Sequence, residues 1–114
     1  MTIKIVTDTI SFLELQEIAK EFYDPMIKGV VDIERDIAAF GGEYHMDANV
    51  LLIESGSLQK DIWGFNVYLD KPRDLWLEYT SLINIRPAAG NRDMEVHDGT
   101  VRDRMKKIVD SKIV

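Results

Sequence analysis

The sequence predicts an α+β domain: an antiparallel sheet of four to five strands with helices packed on one face, in the order β-α-α-β-β-β-β-α. Three observations lead there. Apolar residues recur at helical spacing in residues 11–23, 26–40 and 98–109. They alternate with other residues in 2–6, 61–69 and 75–86. Turn residues separate the later runs closely enough for hairpins, and hairpins make antiparallel sheets. The 114 residues fit a single domain, 1–114.

The elements follow in chain order. Residues 2–6, TIKIV, are β-branched and alternating, so they predict a strand. Ser11 and Glu14 have the spacing of a capping box, in which side chains satisfy the free N–H groups of a helix start. Leu15, Ile18 and Phe22 continue that helix. Asp24-Pro25 reads as a second helix start, because Pro at the first helical position sacrifices no hydrogen bond. Met26, Val30, Ile33, Ile37 and Phe40 then step by helical intervals to Gly41-Gly42. After that the period becomes two. Glu43, His45 and Asp47 alternate with Tyr44 and Met46, and residues 50–54 form an apolar strand. In 61–69, Trp63, Phe65, Val67 and Leu69 share one face; Ile62, Gly64, Asn66 and Tyr68 share the other. Residues 75–86 predict the longest strand, with Trp76, Glu78, Thr80, Asn84 and Arg86 on the polar side. Asp98 caps a last helix whose apolar positions are Val101, Met105, Ile108 and Val109.

Charge narrows the function classes. The net charge is −6, and the first 57 residues hold 11 acids against 4 bases. Such a chain is a poor general binder of nucleic acid, which needs clustered phosphate-neutralising cations. The bases Arg102, Arg104, Lys106 and Lys107 read as a solvated helix face. There are no cysteines, which excludes disulfides, thiolate catalysis and cysteine-ligated metals. No secretory signal or membrane-length apolar run is visible, so the expected location is cytoplasmic.

The least ordinary stretch is SLINIRPAAGNRDMEVHD, residues 81–98. Arg86 and Arg92 flank a Pro-Ala-Ala-Gly-Asn turn, and guanidinium forks match carboxylates and phosphates. Arg86, Asn91 and Arg92, helped by Asn66 and Asn84 on the polar sheet face, are therefore candidates for a small anionic ligand. Glu43, His45 and Asp47 form a second candidate set. Alternate strand residues share a face, but a spacing of about 6.6 Å keeps three such groups from one metal ion unaided. No metal or other cofactor is assigned. His45 with Asp47 or Glu43 gives the enzyme alternative, a hydrolase using a histidine base. Trp76, placed on the polar face, suggests a contact surface and a candidate homodimer.

The segments VVDIER, GGEYHMD, Trp63-Gly64-Phe65-Asn66 and INIRPAAGNRDMEV resemble an uncharacterised prokaryotic small-protein family catalogued as a domain of unknown function, across about residues 26 to 112. That family has no assigned activity, so the resemblance carries over no catalytic residue. A strand, two helices, an antiparallel sheet and a final helix is also similar in layout to RelE/ParE-type toxins. That likeness implies ribosome-dependent RNA cleavage, which the acidic balance of this chain argues against. The expectation is a small binding or regulatory domain.

Overall fold

The computed structural model describes residues 1–114 and has α+β architecture: three helices and a five-stranded, wholly antiparallel sheet. In chain order the elements are β1 (Ile3–Val6), α1 (Phe12–Ala19), β2 (Met26–Asp32), β3 (Ile37–Gly41), α2 (His45–Glu54), β4 (Ile62–Tyr68), β5 (Leu77–Glu78) and α3 (Gly99–Lys112). The strands lie in the order β1-β3-β2-β4-β5. No helix is long and apolar enough to cross a membrane.

The ends of the chain fold as their local signals direct. Ser11 Oγ accepts the Glu14 N–H at 3.1 Å, while the Glu14 carboxylate turns to Lys4 at 2.7 Å instead of closing the box. Asp98 Oδ1 caps α3 by accepting from Thr100 and Val101. That helix buries Met105, Ile108 and Val109. Three of the four bases Arg102, Arg104, Lys106 and Lys107 have partners within the protein. Arg102 pairs with Glu95 and lies over the Tyr79 ring, Arg104 donates to the Ile33 carbonyl, and Lys106 pairs with Asp110.

The middle of the chain departs from the periodicity. Residues 26–40 form the β2–β3 hairpin rather than a helix. Both strands are central and covered on both faces, so nearly every position is buried and the alternation that marks a strand disappears. The turn is made by Asp32, whose Oδ1 accepts from the N–H groups of Glu34 and Arg35, and by Asp36 at φ 56°. Conversely, the run read as strands at 43–47 and 50–54 is α2. Asp47, at its third helical position, accepts from the N–H groups of Glu43 and Tyr44 at 3.1 and 2.9 Å. The layout likeness to RelE/ParE toxins required two consecutive helices after the first strand. The observed order, one helix and then a hairpin, removes it.

Helices cover both faces of the sheet, not one. On the first face, α1 and α3 enclose Ile27, Val31, Ala38, Phe40, Trp63, Phe65 and Val67. On the second, α2 packs Ala48 and Leu52 against Val30, Ile37, Ala39 and Ile62. Trp76 is not an exposed indole. It is 2% exposed, stacked on Phe12 at 6.1 Å, and belongs to the first core.

The first core leaves no room at Gly29. Phe65 meets Phe40 edge-on at 5.7 Å, and a Cβ on Gly29 would lie 2.4 Å from the Phe65 ring. A Gly29→Ala substitution is expected to lower stability by about 1–3 kcal/mol through overpacking. Chemical denaturation measures this. An unchanged midpoint would show that the Phe65 ring moves aside freely.

Candidate ligand-binding site

The site begins with an unfinished strand edge. β4 pairs with β2 from Ile62 to Tyr68, but β5 covers only Asn66 and Val67 on its other side. Backbone groups of the even-numbered β4 residues point to that side, as the bond from Tyr68 N to Trp76 O shows. At Ile62 and Gly64 no strand meets them, and bare buried backbone groups are costly. Side chains from the next segment take the place of a strand. Asn84 Oδ1 accepts the Gly64 N–H at 2.8 Å, and Asn84 Nδ2 donates to Gly64 O at 3.0 Å. Arg86 donates to the carbonyls of Ile62, Lys60 and Ile83, and its guanidinium lies 4.2 Å from the Trp63 ring centre. Partial burial pushes the Arg86 pKa down from its ordinary value.

Residues 75–86 therefore form no long strand. After β5 the chain turns through short 3-10 helices at Leu82–Asn84 and Pro87–Ala89. Ser81 starts the first, its Oγ accepting from the Ile83 N–H. Gly64 lets this segment approach, since a Cβ there would lie 2.6 Å from the Ser81 Cβ. Asn91 fastens the rest of the loop. It donates to the carbonyls of Asn84, Asp93 and Glu95, and accepts from the His97 N–H.

Held in this way, the segment 80–94 stands beside the start of α2 and walls an open cavity of about 660 Å³ over the second sheet face. Met26, Met46, Leu82, Ile83 and Met94 supply apolar wall, and Tyr44 stands at the side. The polar lining includes Lys28, His45, Asn66 and Glu78. His45, the first residue of α2, is 8% exposed. Its Nε2 lies 2.8 Å from Phe65 O and 2.9 Å from Asn66 Oδ1. Asn66 Nδ2 faces Glu78 Oε1 at 2.7 Å and Thr80 O at 3.3 Å. Because both of those are acceptors, the Asn66 amide nitrogen must point to them and its oxygen to His45. Nε2 thus sees two acceptors and carries the ring proton of the neutral form, leaving a lone pair on Nδ1. Tyr68 Oη also donates to Glu78 Oε1, at 3.2 Å. Burial, aided by the Lys28 charge, holds the His45 pKa below its ordinary value against the raising effect of Phe65 O.

The sequence-derived candidates divide cleanly. His45 and Asn66 line the cavity together. Asn84, Arg86 and Asn91 spend their donors on backbone carbonyls, and Arg92 is exposed on the loop. Asp47 serves the α2 N-terminus, Glu43 is exposed, and neither is a hydrogen-bond partner of His45. Since this segment is helical, Glu43, His45 and Asp47 do not form a row on a strand. The cavity residues missed as candidates are Lys28 and Glu78. A signal for Glu78 was present, because it shares the predicted polar face with Asn66 and Tyr68. Lys28 lay in a segment read as helix.

Two measurements bear on this geometry. Asn84→Ala strands the Gly64 N–H and C=O and is expected to cost about 2–4 kcal/mol on unfolding. Asn84→Asp keeps the acceptor but sets a second oxygen against Gly64 O, so it should not restore stability; full rescue would refute the edge-sealing role. The histidine adds a pH dependence. Its folded pKa lies below the unfolded value of about 6.5, so the unfolded chain binds the extra proton first as pH falls. This contribution is flat above about pH 6.5, and stability drops below it until the folded ring itself protonates. Thermal melts across that range should show a shallower decline for His45→Gln than for the wild type. Parallel curves would remove His45 as the cause.

Comparison with known proteins places the chain in a family without adding a function. A family model described as "Protein of unknown function (DUF5674)" matches residues 4–112. No curated protein and no solved structure matches. With nearly the whole length matched, the chain belongs to the DUF5674 family.

Proposed function

We propose that this protein is a small-molecule-binding domain whose site is the cavity over the second sheet face. The observation that carries the reading is His45, a buried ring oriented by Phe65 O and Asn66, lining a hollow of about 660 Å³. Ligand sites are typically concave and largely apolar, with a few oriented polar groups. This cavity combines methionine, leucine and isoleucine walls with the row Lys28, Asn66 and Glu78. Methionines suit such a wall because the flexible thioether adapts to ligand shape.

The arginine loop enters the proposal as a frame. Arg86 and Asn91 set the position of the segment that carries Leu82, Ile83 and Met94. Nucleic acid stays outside it, in keeping with the acidic balance and the local ion pairs of Arg102 and Lys106. The cytoplasm is the proposed setting, since the cysteine-free chain uses no oxidising compartment to fold.

An NMR screen of aromatic fragments such as indole and phenol tests the site. Binding is expected to shift the backbone amides of Lys28, Asn66 and Glu78 together. Met46→Trp, which places an indole against the cavity, should abolish those shifts. Hits that leave the three amides unmoved, or that bind the tryptophan variant equally well, would overturn the assignment.

A further inference from the structure

We infer that the cavity is built for a free α-amino acid with an apolar side chain. The inference rests on the cavity being the ligand site and adds the ligand's chemical class.

The strand register sets opposite charges across the cavity. Lys28 on β2 pairs with Asn66 on β4, and Asn66 pairs with Glu78 on β5. All three therefore stand in one row on the same face, with Lys28 and Glu78 separated by two strand spacings, roughly 10 Å between backbones. Neither charge is neutralised by the other. Lys28 has no carboxylate partner, and its ammonium lies over the Tyr23 ring at 4.4 Å and 5.7 Å from the Tyr44 ring centre. Glu78 holds Asn66 and Tyr68 with Oε1 alone, leaving Oε2 without a protein donor.

The polar groups sort into two functions. At one end, Glu78 Oε2 is an acceptor without a protein donor. A carboxylate oxygen free in this way suits an ammonium, which carries N–H donors and the opposite charge. At the other end, Lys28 is a donor without an anionic partner and suits a carboxylate. A purely anionic ligand would leave Glu78 facing like charge, and a purely cationic one would do the same to Lys28. A zwitterion satisfies both. Its side chain then lies against Met26, Met46, Leu82 and Ile83, which offer no partner for a polar group.

Calorimetric titrations test the class with phenylalanine, leucine and methionine, alongside hydrocinnamate, which lacks the amine, and phenethylamine, which lacks the carboxylate. NMR shifts of the Lys28, Asn66 and Glu78 amides locate the binding. Phenylalanine is expected to bind at least about tenfold tighter than either analogue, since each lacks one charge-assisted contact. Lys28→Met should erase the advantage over phenethylamine, and Glu78→Gln the advantage over hydrocinnamate. Melting curves of both variants check that they remain folded, and the Lys28 variant alters no internal ion pair. If hydrocinnamate or phenethylamine shifts the cavity amides and binds as tightly as phenylalanine, the zwitterion inference falls while the cavity remains the site. If none of the three amino acids moves those amides, the inference falls as well. The cavity assignment falls with it only when the aromatic fragments also leave the amides unmoved.

Discussion

The unfinished edge of β4 is the constraint on which the rest of this structure depends. A central strand with a full partner on one side and a two-residue partner on the other must satisfy its remaining buried backbone groups. A longer β5 would do so with ladder hydrogen bonds. Here the amide of Asn84 and the guanidinium of Arg86 do it instead, on Gly64 and Ile62. Side chains reach further than backbone, so the segment that carries them need not lie flat against β4. It rises above the sheet, and the space left between it and α2 is the cavity. The hollow is thus a by-product of closing an edge with side chains.

This origin explains the unusual composition of residues 81–98. Amide and guanidinium groups gather there because each offers several donors in fixed geometry, suited to backbone carbonyls with no other partner. The same chemistry would serve an anion, and sequence alone does not separate the two uses. What separates them is the company each group keeps. Arg86 faces three carbonyls and the face of an indole. Lys28, an ordinary-looking lysine, faces tyrosine rings and a cavity with no carboxylate partner.

His45 shows how the local conformation decides a side chain's partners. The residue lines the cavity, but the partners expected for it, Glu43 and Asp47, were chosen on strand spacing. On a helix, a carboxylate at the third position turns back to the N–H groups at and just before the cap, and Asp47 does so to Tyr44 and Glu43. The ring points instead across to β4, where Phe65 O and Asn66 fix it. Asn66 lies on the sheet face that the two-residue period of β4 predicts, opposite Trp63, Phe65 and Val67.

Sequence by itself determined the fold class, β1, α1, β4 and α3, and the two-faced character of β4. Each of these rests on local physics: a cap whose partner is three residues away, or an alternation that one strand carries alone. Tertiary structure decided the rest. Whether residues 26–40 coil or extend depended on their lying at the centre of a sheet buried on both faces. That environment erases the period and leaves Met26, Val30, Ile33, Ile37 and Phe40 at helical intervals by coincidence. Whether Arg86 binds a ligand or a carbonyl depended on the length of β5, a property of pairing between distant segments. The row Lys28–Asn66–Glu78 exists only through strand register, and no spacing along the chain encodes it.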